Sequence, residues 1–222
     1  MPSSTVEDYL KQIYLQQQAE PDQPVATGRL AEVMGVVPGT ATSMIKALAD
    51  SGLVAYEPRG GTRLTRGGEQ LALHVLRRHR LVELFLVKTL GLDWSEVHEE
   101  AEELEHAISD KVLQRIDELL GHPQVDPHGD PIPTAKGRVR DRARLQPLSA
   151  CEPGSAITIA RVIDQDPPFL QFINRCGLTP GVAATIEQRN PQADAVVVRV
   201  QRGKPLITLG NAAAAKILVE VA

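Results

Sequence analysis

The sequence predicts a mostly α-helical protein with a smaller β-rich part, built as an N-terminal winged helix-turn-helix, a helical middle segment and a C-terminal small β-barrel. Before residue 70, two short helical patterns joined by a glycine turn are followed by a hairpin pattern. From about residue 69 to 120, apolar residues recur at helical spacing. Beyond residue 147, short β-branched runs predict strands. We therefore expect domains at residues 1–70, 71–140 and 141–222.

The composition excludes several classes of protein. The chain has 222 residues, 42% of them hydrophobic, and can bury more than one core. Its net charge of −4 is not typical of a constitutive nucleic-acid binder. No apolar run reaches transmembrane length, so we expect a cytoplasmic protein with no membrane partner. Cys151 and Cys176 lack a C-x-x-C pattern and indicate neither a zinc knuckle nor a disulfide framework.

The N-terminal segment predicts a DNA-binding module. A first helix is expected over residues 5–18, with Thr5 as N-cap and Asp8 in a capping-box-like position. Thr27 is expected to cap a short helix, Gly35 makes the turn, and a second helix runs between Pro38 and Gly52. Residues 53–65 read as a hairpin with a Gly-Gly turn. Together these elements form a winged helix, which either binds DNA or serves only protein contacts.

In the DNA-binding interpretation, the start of the second helix reads base edges and the wing contacts phosphates. The alternative for the two wing arginines is a purely solubilising role. The predicted base readers are Val37, Pro38, Gly39 and Ser43, the predicted phosphate contacts are Thr40, Thr42 and Lys46, and the wing candidates are Arg59 and Arg63.

A second motif is an acidic helix that contains two histidines. His98, Glu102, Glu105 and His106 fall within about 100° of one another around a helix. No Lys or Arg occurs from Thr89 to Asp110 to neutralise these acids. Clustered imidazole and carboxylate groups are typical of a divalent cation site. The alternative is an acidic helix face exposed to solvent.

The rest of the chain has helical and β patterns. Helices expected at about Glu69–Leu90 and Ser109–Leu120 have enough apolar surface for a helical dimer interface. A turn-rich linker follows over residues 121–147. Strands are predicted at Gly154–Asp164, Val182–Arg189, Ala195–Gln201 and Pro205–Leu209, with helices near Pro168–Cys176 and Asn211–Ile217.

These motifs resemble, in order and spacing, the iron- and manganese-dependent repressors of the diphtheria toxin repressor / manganese transport regulator family. The resemblance spans the whole chain. The most specific motifs are Glu7-Asp-Tyr-Leu, Arg78-His-Arg-Leu-Val-Glu83, the stretch from Val97 to His106, and the turn from Pro127 to Pro133. The resemblance implies a winged helix, a helical dimerisation domain that holds the metals and an SH3-like (FeoA-like) barrel. It also implies a homodimer that binds palindromic double-stranded operator DNA when loaded with metal.

The resemblance also implies the metal ligands. One site takes Asp8, Glu102, Glu105 and His106; its neighbour takes His79, Glu83 and His98, with Asp166 at the position of a ligand from the barrel. Phe169 stands where some relatives have a polar ligand. Asp126 and His128 lie where certain manganese-type relatives draw extra ligands from the turn.

The ligand types favour Mn²⁺, with Fe²⁺ as the alternative and other divalent transition metals as substitutes in vitro. Iron-type relatives place Met and Cys where this chain has Asp8 and Glu102, and hard carboxylates suit manganese. Residues 1–70 carry six Lys/Arg against eight Asp/Glu, so the metal-free domain is expected to bind phosphates weakly.

We therefore expect a metal-dependent repressor of metal-uptake genes rather than an enzyme, with no small organic substrate. Metal would clamp the winged helix to the dimer core. The alternatives from other classes are a metallohydrolase and a winged-helix regulator that senses a small ligand.

Overall fold

A computed structural model describes residues 3–139, 145–200 and 205–221, and these residues form two compact units. Of these residues, the first unit comprises 3–79, 105–107 and 133–139; the second comprises 80–104, 108–132, 145–200 and 205–221. The chain crosses between the two units several times, first between residues 79 and 80. The expected domain boundaries at 70 and 140 stay a prediction.

The first unit is a winged helix. Helices α1 (Ser4–Ala19), α2 (Thr27–Val33) and α3 (Pro38–Asp50) are followed by strands β1 (Val54–Glu57) and β2 (Gly61–Leu64), which pair antiparallel. Helix α4 (Arg66–Phe85) follows. The core of this unit is apolar and is contributed by every helix, for example by Leu10, Ile13, Leu30, Ile45, Leu48 and Leu76.

Two helix starts differ from the sequence prediction. Ser3, not Thr5, caps α1, because its side chain accepts the amide N–H of Val6. Asp8 therefore lies a full turn inside the helix, outside any capping box. Thr27 is the first residue of α2 and its preceding residue, Ala26, makes no side-chain cap. Neither the carboxyl group of Asp8 nor the hydroxyl group of Thr27 therefore serves as a helix cap.

The helical part of the second unit begins with the last residues of α4, from Arg80 onward. A single π-helical turn, Leu86–Leu90, ends at Gly91, whose φ of 75° is favourable for glycine. Helices α5 (Val97–Glu105) and α6 (Asp110–Leu119) follow, and the side chain of Ser109 caps α6 by accepting a hydrogen bond from the amide of Val112. Apolar side chains pack α4 against α6, among them Leu81, Leu84, Leu113 and Ile116. The turn at residues 125–131 closes on itself through an antiparallel bridge between Val125 and Pro131.

The C-terminal part of the second unit is a six-stranded antiparallel sheet with the strand order β3-β8-β4-β5-β6-β7. The strands are β3 (Gln146–Pro147), β4 (Ala156–Val162), β5 (Ala183–Asn190), β6 (Ala195–Arg199), β7 (Ile207–Gly210) and β8 (Ile217–Val221). Helices α7 (Pro167–Cys176) and α8 (Asn211–Ala214) lie between them in the chain. The sheet curls around a core that includes Ile159, Leu170, Ile173 and Val198.

The expectation of a small barrel is confirmed, but one strand differs from its prediction. The sequence predicts a helix near Asn211–Ile217. Only four residues are helical, and Ile217 begins β8, which pairs with both β3 and β4. Within the described residues, no helix has both the length and the apolar character that a bilayer crossing requires.

Candidate metal centres and nucleic-acid interface

The first unit brings together Asp8, Glu105 and His106, here called centre one. Asp8 lies on α1, whereas Glu105 ends α5 and His106 follows it. The Nε2 of His106 lies 2.9 Å from Asp8 Oδ1 and 3.4 Å from Glu105 Oε1. Three donor atoms from two distant parts of the chain therefore lie within 4.8 Å of one another.

The other nitrogen of His106 has its own partner. Its Nδ1 lies 2.9 Å from Oε2 of Glu7, the neighbour of Asp8 on α1. Burial alone would lower the pKa of His106, but the hydrogen bond to Glu7 and the charges of Asp8 and Glu105 outweigh it and raise that pKa. The imidazole is thus surrounded by carboxylates, an arrangement that favours positive charge at this point.

Glu105 is the most buried member of centre one, with 1% of its side chain exposed. Its Oε1 accepts a hydrogen bond from Lys11 Nζ at 2.7 Å, and its Oε2 lies 2.7 Å from His79 Nδ1. Burial raises the pKa of Glu105, but the hydrogen bond and charge of His79 together with Lys11 bring that pKa below its usual value. Lys11 and His79 therefore favour the ionised form of Glu105.

The second unit holds another group of donors, Glu83, Asp126 and His128, here called centre two. All three are buried, Glu83 on α4 and the other two in the turn at residues 125–131. Glu83 Oε2 lies 3.8 Å from His128 Nδ1. Its other oxygen, Oε1, lies 3.3 Å from Nδ1 of the half-exposed His98.

The hydrogen bonding of His128 leaves one nitrogen available. Its Nε2 lies 2.8 Å from the carbonyl oxygen of Trp94, which can only accept, so Nε2 carries the proton. In the neutral ring, Nδ1 then carries a lone pair. This nitrogen is fully buried, and it makes no hydrogen bond within the described part of the chain. An unsatisfied buried nitrogen beside Glu83 is the geometry of a metal ligand.

The charges around centre two also favour a cation. Burial, followed by the charges of Asp130 and Glu83, raises the pKa of Asp126 well above its usual value, against the opposing effect of Arg80. Arg80 Nε lies 3.5 Å from Asp126, and Arg161 pairs with Asp130. Two guanidinium groups thus face three buried carboxylates. The donor atoms of both centres are oxygen and nitrogen, so the residues fit a hard divalent cation.

The remaining predicted ligands lie as follows. His79 belongs to the first unit, and Glu102 belongs to the second, where its Oε1 lies 3.6 Å from His98 Nε2. Asp166 occupies the exposed N-cap position of α7, and among the described residues it is not a member of any of the groups that could hold a metal ion. Phe169 packs beneath the ammonium group of Lys216.

The sequence analysis missed three residues that shape these centres: Glu7, Lys11 and Asp130. Glu7 could have been found from the sequence, because it is adjacent to the predicted ligand Asp8. Lys11 and Glu105 are 94 residues apart, so no local pattern indicates their ion pair.

The predicted base readers share one exposed face at the start of α3. Val37, Pro38, Gly39 and Ser43 are exposed, whereas Ala41, Ile45 and Leu48 of the same helix are buried. The side chain of Val37 is 68% exposed, so its methyl groups are accessible to a partner.

Two predicted polar contacts are already engaged within the protein. The hydroxyl of Thr42 donates to Pro38 O at 2.7 Å and that of Ser43 donates to Gly39 O at 2.9 Å, so both present acceptor lone pairs outward. Thr40, Lys46 and Arg59 are exposed. Arg63 donates to the carbonyl oxygens of Pro21 and Asp22, at 3.0 and 2.7 Å, and so fastens the loop between α1 and α2 to the wing.

A winged helix followed by a helical segment with clustered metal donors and a small barrel defines the class of metal-responsive DNA-binding regulators. Three family models match the chain in this order: the iron dependent repressor N-terminal DNA binding domain at residues 1–62, its metal binding and dimerisation domain at residues 65–134, and the FeoA domain at residues 146–221.

Curated relatives agree with these matches. The iron-dependent repressor IdeR of Mycobacterium tuberculosis is 32% identical over 197 residues, which is 82% of this chain and 84% of that protein. The diphtheria toxin repressor of Corynebacterium glutamicum is 36% identical over 129 residues, 58% of this chain and 56% of that protein. The chain therefore belongs to the iron-dependent repressor family of IdeR and the diphtheria toxin repressor.

Solved structures include manganese-dependent members. A manganese-dependent transcriptional repressor in complex with manganese is 41% identical, covers 98% of this chain and all of its own, and superposes with a TM-score of 0.85. The manganese regulator SloR is 31% identical, with full coverage of both chains and a TM-score of 0.74. The protein is a metal-dependent transcriptional repressor, as the sequence predicted. Because the family comprises DNA-binding regulators and not enzymes, the metallohydrolase alternative is set aside.

Proposed function

We propose that the protein is a Mn²⁺-activated homodimeric repressor of metal-uptake genes that binds a palindromic operator in the cytoplasm. The observation that carries this proposal is centre one, where Asp8 of the winged helix faces His106 and Glu105 at the end of α5. The structural relatives at 41% and 31% identity are a manganese-dependent repressor and a manganese regulator, which supports the same metal here.

The donor chemistry supports manganese over iron. Both centres offer carboxylate oxygens and imidazole nitrogens, and the free cysteines Cys151 and Cys176 lie outside both groups. Hard oxygen donors suit Mn²⁺, and softer sulfur donors suit metals that bind more strongly. Iron-dependent relatives are also similar to this chain, so Fe²⁺ is the second candidate.

The acidic residues give the winged helix its dependence on metal. Residues 1–70 carry more Asp and Glu than Lys and Arg, so phosphate attraction is weak while those carboxylates are uncompensated. Asp8, Glu105 and His106 would hold a divalent cation, whose positive charge would offset these carboxylates. Asp8 then holds α1 in one orientation, and through α1 the recognition helix α3 is held for a two-fold operator.

Centre two is proposed as the second metal site. Glu83 and His128 provide a carboxylate and an unsatisfied lone pair, and Asp126 adds a second carboxylate. The sets that the resemblance implies, His79, Glu83 and His98 in one site and Glu102 in the other, stay predictions, as does Asp166.

The experiment is fluorescence anisotropy on the regulator's own promoter DNA at fixed salt, with EDTA, Mn²⁺ or anaerobic Fe²⁺. We expect tight binding with Mn²⁺ and none with EDTA. An equal response to Fe²⁺ would show that the ligands do not select the metal. DNA binding that EDTA does not affect would overturn the proposal and favour a winged-helix regulator that senses a small ligand.

A variant tests the role of Asp8. Asp8→Ala should abolish metal-dependent DNA binding while the chain still dimerises, as measured by light scattering. Asp22→Ala, which removes an exposed carboxylate from the same unit, is the matched control. If Asp8→Ala still binds DNA only with metal, the clamp through α1 is wrong.

A further inference from the structure

A lysine is buried against the carboxylate that anchors centre one. The Lys11 side chain is 2% exposed, and its Nζ lies 2.7 Å from Oε1 of Glu105, which is 1% exposed. Lysine is almost never buried unless it is paired with an acid, because the desolvation of an ammonium group is costly. The fold therefore places the amine of Lys11 directly against Glu105 in the first unit.

The ammonium group contacts the oxygen of Glu105 that faces the metal donors. Glu105 Oε1 is the atom that lies 3.4 Å from His106 Nε2, and Oε2 faces His79 instead. A cation held by Asp8, Glu105 and His106 would therefore compete with Lys11 for this oxygen. Arg78 adds a second positive charge on the other side of His106, 3.8 Å from Glu7.

We propose that Lys11 is a built-in competitor that weakens the affinity of centre one and so sets the metal concentration at which the repressor responds. The proposal rests on the proposed function of centre one. The ammonium group neutralises Glu105 in the metal-free chain, and it repels a divalent cation that approaches Glu105 Oε1. Lys11 is thus a residue that determines affinity without being a ligand.

The test is replacement of the charge by an apolar side chain of similar length. Lys11→Met should lower the dissociation constant for Mn²⁺ at least tenfold, measured from the electron paramagnetic resonance signal of free Mn²⁺. The metal-free variant should melt at a lower temperature, because Glu105 has lost a partner, and the rise in Tm with Mn²⁺ should exceed that of the unmodified chain. Lys11→Arg retains the charge and should keep the original affinity.

The control is Lys111→Met, which removes the charge of an exposed lysine on α6 and should not change Mn²⁺ affinity. Unchanged or weaker Mn²⁺ binding by Lys11→Met, or tighter binding by Lys11→Arg, would overturn the competitor role. If the unmodified chain binds no Mn²⁺, the proposed function itself fails, and that result is distinct from either of these.

A measurement on the unmodified chain avoids any loss of folding in the variants. A buried, ion-paired ammonium group exchanges slowly and gives a ¹⁵N resonance of its own. Addition of Cd²⁺, a diamagnetic divalent probe, should shift or broaden the Lys11 ammonium resonance as the pair with Glu105 opens. A resonance that stays unchanged while Cd²⁺ binds at centre one would refute the competition.

Discussion

His106 Nδ1 lies 2.9 Å from Glu7 Oε2, at the opposite edge of the ring from the nitrogen that faces Asp8. A carboxylate partner places a proton on Nδ1 and fixes the plane of the imidazole. Adjacent residues of α1 therefore have different roles: Asp8 offers a donor oxygen to centre one, and Glu7 orients the ring that offers a nitrogen.

The role of Glu7 can be tested with Glu7→Gln. The amide keeps the size of the side chain but loses the charge that favours the Nδ1–H tautomer, so we expect Mn²⁺ affinity to fall about 10- to 100-fold. Isothermal titration calorimetry measures the change. Glu20→Gln, an exposed change at the end of the same helix, serves as control. Equal affinity of the Glu7 variant and the unmodified chain would show that the ring is oriented by other contacts.

Centre two can be tested by the number of ions bound. His128→Phe keeps a planar ring but removes the lone pair at Nδ1, so the chain should bind one Mn²⁺ fewer while centre one is retained. Mn²⁺ titration followed by electron paramagnetic resonance counts the ions. His122→Gln removes an exposed histidine and should leave the count unchanged. An unchanged count in the His128 variant would contradict a metal at centre two.

Gly129 holds the turn of centre two against the barrel. Its φ is 89°, and a Cβ at this position would lie 2.0 Å from the carbonyl oxygen of Ala160. We expect Gly129→Ala to destabilise the second unit by about 2–5 kcal/mol, through backbone strain and overpacking. Chemical denaturation measures the loss. Gly154 also has a positive φ, but a Cβ there would meet no neighbouring atom. Gly154→Ala therefore measures the backbone strain without the steric clash.

The two wing arginines should behave differently. Arg63 donates to two carbonyl oxygens of the α1–α2 loop, so Arg63→Ala should lower the free energy of unfolding by about 1 kcal/mol. The exposed Arg59 has no such role in the described wing contacts, so Arg59→Ala should leave stability unchanged and reduce the salt dependence of DNA binding. If the two variants have the opposite effects, the assignment of scaffold and phosphate contact is wrong.

The exposed Val37 is expected to read a base through its methyl groups. Val37→Ala should weaken specific DNA binding by about 1 kcal/mol, with no change in its salt dependence, because no charge is lost. Lys46→Ala should instead reduce the slope of log affinity against log salt by about 1 for all DNA sequences. Anisotropy at several salt concentrations, on operator and scrambled DNA, distinguishes these outcomes.

Sequence reasoning recovered the elements whose ends have a local signal. Pro38 at the first turn of α3, Gly35 before it and Ser109 at the start of α6 all lie where their conformational preferences predict. The grouping of Asp8 with Glu105 and His106 came from the resemblance, because the acidic helix alone could not identify a partner on α1.

Features that depend on distant parts of the chain were not recovered. The β8 strand is stabilised by pairing with β3 and β4, and its own short apolar run after four alanines reads equally well as helix. The lone pair of His128 depends on the Trp94 carbonyl, 34 residues earlier. Tertiary contacts of this kind determine the environment of a side chain, and they cannot be predicted from local periodicity.

The position of β8 in the sheet has a consequence for synthesis on the ribosome. Residues 217–221 pair between β3 and β4, which begin at residues 146 and 156, so this sheet cannot complete its pairing until residue 221 has emerged. The first unit needs nothing beyond residue 139. The winged helix is therefore able to fold while the barrel strands are still being translated, and nascent β4 has an unpaired edge that a chaperone can protect.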